Sequence, residues 1–221
     1  MVNIKQFKDT RKILSEKGVN LIAVSKTKPI EDIQQLYDLG QLIFGENKVQ
    51  ELSAKYESLP KDIAWHMIGH LQSNKVKYIA PFISLIHSVD SLNLLAEINR
   101  QAVKNNRVID CLLQFHIASE DTKFGLNYEE AEQLLKSDEF KQLKNIQIVG
   151  VMGMASFSDD LSLVRIEFTS LRVIFDKLKT DFFTNEDSFK EISMGMSGDY
   201  ELAIEEGSTM VRIGSLLFGE R

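Results

Sequence analysis

Lys26 occupies the position in the sequence best suited to covalent chemistry. It follows the apolar run L-I-A-V-S at residues 21–25, so we expect its stem to be buried and its amine to face the end of a strand. Removal from water lowers the pKa of a lysine and leaves neutral amine to attack an aldehyde. A lysine at a strand end is more often simply solvated, so Lys26 alone does not decide between the two. Lys28, next to Pro29, looks like a surface residue at the start of a helix.

Two Gly-Ser pairs follow the last two apolar runs of the chain. Ser197-Gly198 comes after residues 191–196, and Gly214-Ser215 ends the run at 210–214. Glycine lets the backbone approach an anion closely, and serine adds a hydroxyl donor. One such pair is typical of an ordinary turn. Two pairs together favour a phosphate site, although the turn interpretation stays open.

Arg212 is a permanent cation inside an apolar run. A buried arginine needs an acceptor, which could be a phosphate, a ring nitrogen or an internal carboxylate. His66 and His70 are four residues apart, but no H-E-x-x-H motif occurs and Cys111 stands alone, so we expect no metal site. The histidines are interpreted as hydrogen-bonded core or rim residues.

Eight short apolar runs alternate with amphipathic stretches along the chain. They lie at residues 21–25, 42–45, 64–69, 85–89, 111–117, 146–154, 191–196 and 210–214. Runs that are apolar on both faces are typical of buried parallel strands. Eight strand–helix alternations predict an α/β fold, a single-domain (β/α)8 barrel of the TIM type. A doubly wound open sheet is the alternative, but no glycine-rich dinucleotide motif follows the first strand.

The stretches between the runs have helical spacing. Predicted helices cover residues 29–39, 47–59, 91–103, 128–135, 161–178 and 200–206. A further amphipathic helix at residues 2–17, with Ile4, Phe7 and Leu14 on one stripe, precedes the first strand. We therefore predict one domain over residues 1–221, in which residues 1–18 form an extra helix that packs on the barrel.

The active face of such a barrel lies at the carboxyl ends of its strands. Polar residues follow seven of the eight predicted strands, and they include Lys26, Asn47, His70, Asp90, Lys123, Ser197 and Ser215. Lys123 is a candidate second aldehyde acceptor at the rim, although a solvated loop lysine is the simpler interpretation. Met152, Met154, Met194 and Met196 are more typical of barrel packing than of a cofactor site, although the interpretation that some of them line a ligand stays open.

The composition excludes several classes of protein. A net charge of −6 argues against a dedicated nucleic-acid binder. The single cysteine excludes an intramolecular disulfide and indicates a reducing compartment. No apolar run approaches the length of a membrane span, and the first residues lack the apolar segment of a signal peptide. We expect a cytoplasmic protein with neither nucleic acid nor membrane as partner.

Five ordered segments carry a family resemblance. They are A-V-S-K-T-K-P at 23–29, F-G-E-N-x-V-Q-E at 44–51, W-H-x-I-G-H-L-Q-x-N-K at 65–75, S-M-G-M-S-G-D at 193–199 and G-S-T-M-V-R-I-G-S-x-x-F-G at 207–219. Together they resemble the pyridoxal 5′-phosphate (PLP) homeostasis proteins, the YggS/PROSC type, which are related to the N-terminal domain of alanine racemase. The resemblance spans nearly the whole chain.

The resemblance implies a barrel that holds PLP as a Schiff base, an internal aldimine, on Lys26. It implies phosphate contacts from Ser197, Gly214 and Ser215. The implied function is that of a PLP carrier or buffer in vitamin B6 homeostasis without robust catalysis, with PLP and apo PLP-enzymes as partners.

The resemblance also places Arg212 opposite the pyridine nitrogen and Asn47 near the cofactor. An arginine there disfavours protonation of that nitrogen and weakens the electron sink that most PLP chemistry uses. Lys48 stands where the family commonly has an aromatic residue, and Ser215 replaces a frequent threonine. Both departures leave these assignments intact.

Two rival functions remain open. A PLP-dependent amino-acid racemase needs a proton shuttle on both faces of the cofactor, and only His70, Tyr200 or Lys123 can be nominated for the second face. The sequence ends shortly after Phe218-Gly219, so we expect no second domain to supply one, and we expect a monomer. A Schiff-base aldolase acting on a sugar phosphate is the other rival, and it would be colourless, whereas bound PLP is yellow.

Overall fold

The computed structural model describes residues 2–119 and 124–219. Eight parallel strands close into a barrel in chain order, with β8 paired to β1. The strands are β1 (Asn20–Val24), β2 (Ile43–Glu46), β3 (Ala64–Met67), β4 (Leu85–Val89), β5 (Ile109–Phe115), β6 (Ile146–Gly153), β7 (Glu191–Ser193) and β8 (Met210–Ile213). Each overlaps one predicted run, so the predicted (β/α)8 barrel is confirmed and the open sheet is excluded.

Helices connect the strands on the outside. They are α1 (Ile4–Glu16), α2 (Ile30–Asp38), α3 (Val49–Ser58), α4 (Val76–Ile79), α5 (Leu92–Lys104), α6 (Tyr128–Lys136), α7 (Asp138–Lys141), α8 (Leu161–Asp181), α9 (Tyr200–Glu205) and α10 (Ser215–Phe218). A 3₁₀ turn, Ser73–Lys75, precedes α4. In the described part of the chain, no helix is both long and apolar enough to cross a membrane.

Local signals in the sequence explain several helix ends. Asn127 and Glu130 form a capping box at the start of α6, in which each side chain accepts the backbone N–H of the other. The chain leaves α2 through Gly40, whose φ of +88° lies in the left-handed region that glycine adopts at low cost. The predicted ranges of α2 and α6, 29–39 and 128–135, lie within about one residue of the observed bounds.

The N-terminal helix α1 has a different buried stripe from the predicted one. Phe7, Thr10 and Leu14 are buried, whereas Ile4 is 36% exposed. Asn3 N–H donates to the carbonyl of Leu217 at 2.7 Å, which ties the start of the helix to α10 near the carboxyl end of the described chain. The helix is present as predicted, but the inclusion of Ile4 in its stripe was wrong.

Apolar packing separates into two clusters. The larger cluster lies between strands and helices and includes Trp65, whose ring contacts Phe44 with centroids 5.9 Å apart. The smaller cluster joins alternate residues of the strands, among them Ile22, Leu85 and Leu112, and fills the barrel interior. The filled interior leaves the residues beyond the strand ends to build a site.

Candidate functional site

A cavity of about 740 Å³ lies at the carboxyl ends of the barrel strands. All six residues that the sequence analysis assigned to a ligand contribute to its wall. They are Lys26, Asn47, Ser197, Arg212, Gly214 and Ser215. Residues at or just after the ends of β1, β2, β7 and β8, far apart in sequence, are thus brought together around one space.

Lys26 lies in a tight turn that follows β1. The Lys28 backbone N–H donates to the carbonyl of Ser25 at 3.0 Å and closes the turn. Thr27, between them, has a φ of +65°, a conformation that β-branched residues rarely adopt. Lys26 itself is partly buried, and it lines the cavity as predicted from its place at a strand end.

Lys28 differs from the sequence-based interpretation. It lines the cavity and is partly buried, and its Nζ donates to the carbonyls of Phe218 at 3.0 Å and Gly219 at 3.1 Å. The description of Lys28 as a surface residue at a helix start was wrong, because the amine reaches across to the carboxyl end of the described chain. It joins the loop after β1 to the segment after α10.

The two Gly-Ser pairs lie against each other. The backbone N–H of Gly214 donates to Ser197 Oγ at 3.2 Å. A Cβ added to Gly198 would meet no atom within 4 Å, so the space beside this glycine is open. Asp199 accepts the Met196 N–H at 2.5 Å; burial raises the pKa of its carboxyl, while that hydrogen bond and the Arg212 charge oppose the rise.

Arg212 is 4% exposed and is fixed by two hydrogen bonds. Its Nη1 donates to Ser193 Oγ at 2.7 Å and its Nη2 to the carbonyl of Gly153 at 3.1 Å. Burial lowers the pKa of Arg212 to about 10, so the side chain remains a cation at neutral pH. Within residues 2–119 and 124–219 no carboxylate forms a direct ion pair with Arg212, but the Asp199 charge opposes the lowering of its pKa, so Asp199 is the internal carboxylate nearest in effect.

A buried chain of polar side chains extends from Arg212 across the barrel interior. His87 Nδ1 lies 3.0 Å from Ser193 Oγ, and His87 Nε2 lies 3.0 Å from His66 Nδ1. Burial lowers the pKa of His66 to about 3 and that of His87 well below its usual value, so both rings are neutral. The expectation that these two histidines are hydrogen-bonded core residues is confirmed.

The direction of hydrogen bonding in this chain follows from Arg212, which can only donate. Ser193 Oγ accepts from Arg212, and we direct its own hydrogen at His87 Nδ1 because a buried hydroxyl without an acceptor is costly. His87 then carries its proton on Nε2 and donates to His66. Ser193 and the Gly153 carbonyl therefore hold the guanidinium group, and the same side chain lines the cavity.

Asn47 contributes a buried polar atom that lacks a partner. Among the described residues its Oδ1 accepts no hydrogen bond, which is unusual for a buried oxygen. Gly69, from the loop after β3, packs so closely that an added Cβ would lie 2.6 Å from the Asn47 carbonyl. The close approach of Gly69 fixes the backbone of Asn47 beside the cavity.

Most of one wall of the cavity was missed by the sequence analysis, which considered for the site no residue of the segment after Met154 at the end of β6. This wall consists of Met154, Ser156, Phe157, Ser158, Asp159, Leu161 and Val164. Glu167 of α8 anchors it by accepting the Ser156 N–H at 2.6 Å and the Ser156 hydroxyl at 2.8 Å. The turn-forming S-F-S-D-D sequence after β6 was the available signal.

The remaining candidates are placed differently from one another, and His70 and Tyr200 lie outside the cavity wall. His70 is exposed, stacks on Phe124 with ring centroids 4.6 Å apart and lies 3.8 Å from Asp90. Tyr200 is buried, and its hydroxyl donates to Glu201 at 3.1 Å. Lys123 lies outside the described residues. Of the four methionines, Met154 and Met196 line the cavity, whereas Met152 and Met194 pack in the two apolar clusters.

Comparison with known proteins places the chain in a family. A family model described as the N-terminal domain of alanine racemase matches residues 3–221. A pyridoxal phosphate homeostasis protein of Aquifex aeolicus is 42% identical over 207 residues, which cover 93% of this chain and 89% of that protein. The chain belongs to the pyridoxal phosphate homeostasis protein family. The resemblance stated from its five motifs is confirmed.

Solved structures support the membership. PipY of Synechococcus elongatus PCC7942, determined without PLP, superposes with a TM-score of 0.89 at 34% identity, over 97% of this chain and 99% of that chain. PipY with PLP bound superposes with a TM-score of 0.86 over the same shares. Alanine racemase of Clostridium difficile 630 shares the fold at 15% identity, with a TM-score of 0.77, and this chain covers 61% of it.

Proposed function

We propose that this member of the pyridoxal phosphate homeostasis family binds PLP covalently through Lys26 and acts as a carrier or buffer of PLP. The observation that carries the proposal is the convergence of all six assigned residues on one cavity. PLP bound to PipY, a relative of nearly equal length, adds support.

The donors around the cavity suit the chemical groups of PLP. A cavity of about 740 Å³ is large enough for a small cofactor. Ser197 and Ser215 line the cavity with hydroxyl groups that can donate to a phosphate, and the Gly214 N–H, which here donates to Ser197 Oγ, lies beside them. Arg212 offers its cation to the ring nitrogen, and the unpaired amide oxygen of Asn47 is free to accept from a bound group.

When bound, PLP supplies an aldehyde. The Lys26 amine, in its deprotonated form, would bond to the aldehyde carbon, and the aldehyde oxygen would leave as water with both amine hydrogens; the bond would reverse when water or another amine attacks. Arg212, held from behind by Ser193, keeps a positive charge next to the ring nitrogen and disfavours a proton there. A weak electron sink suits storage and exchange better than turnover.

No specific observation favours the racemase alternative. Among the ionisable side chains of the described cavity wall, Lys28 is held by two carbonyls and Asp199 by the Met196 N–H. His70 and Tyr200 do not line the cavity. Asp159 also lies in the wall, and no observed hydrogen bond orients its carboxylate toward the cofactor, so the described residues offer no positioned base for the second face.

Three further parts of the proposal concern the cell. We propose that the protein works in the cytoplasm, that it is a monomer, and that it passes PLP to apo PLP-enzymes. The net charge of −6 and the single buried cysteine, Cys111, support the first part. The monomeric state and the transfer of PLP to apo-enzymes extend the proposed carrier function.

The experiment that tests the proposal follows PLP from the protein to an apo-enzyme. Wild type loaded with PLP should be yellow and should restore activity to an apo PLP-enzyme, whereas Lys26→Ala treated in the same way should do neither. Equal transfer of PLP by the two proteins would show that Lys26 is not needed for the carrier function. Exchange of the Cα hydrogen of amino acids in deuterated water above that of free PLP would instead favour the racemase.

A further inference from the structure

Two acidic residues of the F-G-E-N-x-V-Q-E segment play no part in the cavity wall. Glu46 ends β2 and Glu51 lies in the first turn of α3. Both accept from Lys55 Nζ, each at 2.7 Å. The Glu46 side chain is 0% exposed, that of Lys55 6% and that of Glu51 24%. We call Glu46, Glu51 and Lys55 the Lys55 cluster.

The Lys55 cluster forms hydrogen bonds with the backbone on both sides of Lys26. An ammonium group has three N–H donors, and Lys55 directs the third to the carbonyl of Ser25 at 2.7 Å. Glu46 also accepts from Ser25 Oγ at 2.6 Å. The Thr27 N–H donates to Glu51 Oε1 at 2.5 Å. The residues before and after Lys26 are thus held by the same three side chains.

The backbone between these contacts is strained. Thr27 has a φ of +65°, which is a true outlier for a β-branched residue. Such a conformation persists only where the surroundings enforce it, and it is concentrated at functional sites. The Thr27 N–H bond to Glu51 and the Ser25 contacts to Lys55 and Glu46 are the enforcing contacts.

Holding β1 and β2 together does not require buried charges. Gln41, which is 5% exposed, joins the same two strands at their amino ends with a neutral amide, donating to the carbonyls of Leu21 at 2.8 Å and Ile43 at 2.7 Å. A buried ion cluster is poor evidence for added stability, because desolvation offsets its attraction. The charged side chains of the Lys55 cluster lie instead at the carboxyl ends of β1 and β2, next to Lys26, which points to a role at that end rather than in strand pairing.

We propose that the Lys55 cluster is a positioning device that fixes the strained turn at residues 25–28 and thereby directs the Lys26 amine into the cavity. This inference rests on the proposed function only in taking Lys26 as the amine that bonds PLP. Glu46, Glu51 and Lys55 act through the backbone of Lys26 and do not touch the reacting atoms.

The test compares Glu51→Ala with Glu51→Gln, because the glutamine keeps an oxygen that accepts the Thr27 N–H. Two quantities are measured: amide hydrogen exchange of the turn without PLP, and the rate constant at which the visible band of the PLP adduct appears. Glu51→Ala should speed exchange at the turn and slow adduct formation on the order of 10- to 100-fold, as expected for a misplaced reacting group. Glu51→Gln should stay close to wild type in both.

Gln41→Met is the matched control, because it disturbs β1 and β2 at the opposite end. It should lower the stability to urea while leaving exchange at the turn and the adduct rate unchanged. Lys55→Met should behave as Glu51→Ala if it folds, and the Glu51 pair carries the test if it does not.

Two results would overturn the inference: wild-type exchange and adduct rate in Glu51→Ala, or equal slowing in Gln41→Met, which would mark a general effect of stability. A different result would contradict the proposed function. If wild type forms no PLP adduct at Lys26, that function is lost, while the exchange measurement still decides whether the Lys55 cluster holds the turn.

Discussion

The buried pair His66–His87 predicts a strong loss of stability in mild acid. In the unfolded chain each histidine has a pKa of about 6.5. In the fold, burial lowers the pKa of His66 to about 3 and that of His87 well below its usual value. Between pH 6.5 and 3 the unfolded state therefore binds more protons, and the free energy of unfolding falls as the pH falls.

The magnitude follows from proton linkage. At pH 5 each neutral histidine lowers the free energy of unfolding by about 2 kcal/mol, so the pair lowers it by about 4 kcal/mol relative to pH 7. That is a large share of the roughly 5–15 kcal/mol of a typical domain. Urea denaturation between pH 5 and 7 measures it directly.

Two variants isolate the contribution of the pair. His66→Gln keeps an oxygen that accepts from His87 and removes one titrating group, so it should lose about 2 kcal/mol less than wild type between pH 7 and 5. His70→Gln, at an exposed histidine, should keep the wild-type pH dependence. The buried carboxyls Glu46, Asp110 and Asp199 have raised pKa values and offset part of the wild-type loss, so the comparison between variants decides. No difference in pH dependence between wild type and His66→Gln would refute the assignment of neutral buried rings.

Two further substitutions test the supports of the cavity. Ser193→Ala removes the acceptor of Arg212 Nη1 and should lower the free energy of unfolding by about 3 kcal/mol, since a hydrogen bond to a charged group contributes about 1.5–3 kcal/mol and the neighbouring histidine loses its partner too. Gly69→Ala places a Cβ 2.6 Å from the Asn47 carbonyl, so it should displace that loop and weaken PLP binding in a spectral titration.

Controls for these substitutions are available in the same chain. Ser170→Ala, on the exposed side of α8, should change the free energy of unfolding by less than about 0.5 kcal/mol. A Ser193→Ala protein as stable as Ser170→Ala would contradict the polar chain behind Arg212. Unchanged PLP affinity in Gly69→Ala would show that the position of Asn47 does not matter for binding.

The strands were predictable because burial on both faces leaves short apolar runs, and eight such runs alternate with amphipathic stretches along the chain. Short helices were not. The helices α4, α7 and α10 have four residues each, which is too short to show a helical period in the sequence. Such short helices depend on tertiary contacts for their stability. For α1 the apolar stripe suggested Ile4, but Thr10 is buried instead.

In the site, residues at strand ends could be predicted because the barrel places every carboxyl end on one face. Contacts between distant segments could not. The amine of Lys28 reaches carbonyls about 190 positions away, and no local pattern encodes such a contact. The same holds for Ser193, which joins Arg212 to His87 from a third strand.

Covalent trapping tests the central claim most directly. Protein incubated with PLP is reduced with borohydride, digested, and mapped by mass spectrometry. We predict that the label lies on Lys26 and is absent from Lys26→Ala, and labelling confined to Lys26 would also exclude Lys123 as a second acceptor. A label on another lysine, or no label despite a yellow complex, would contradict the account.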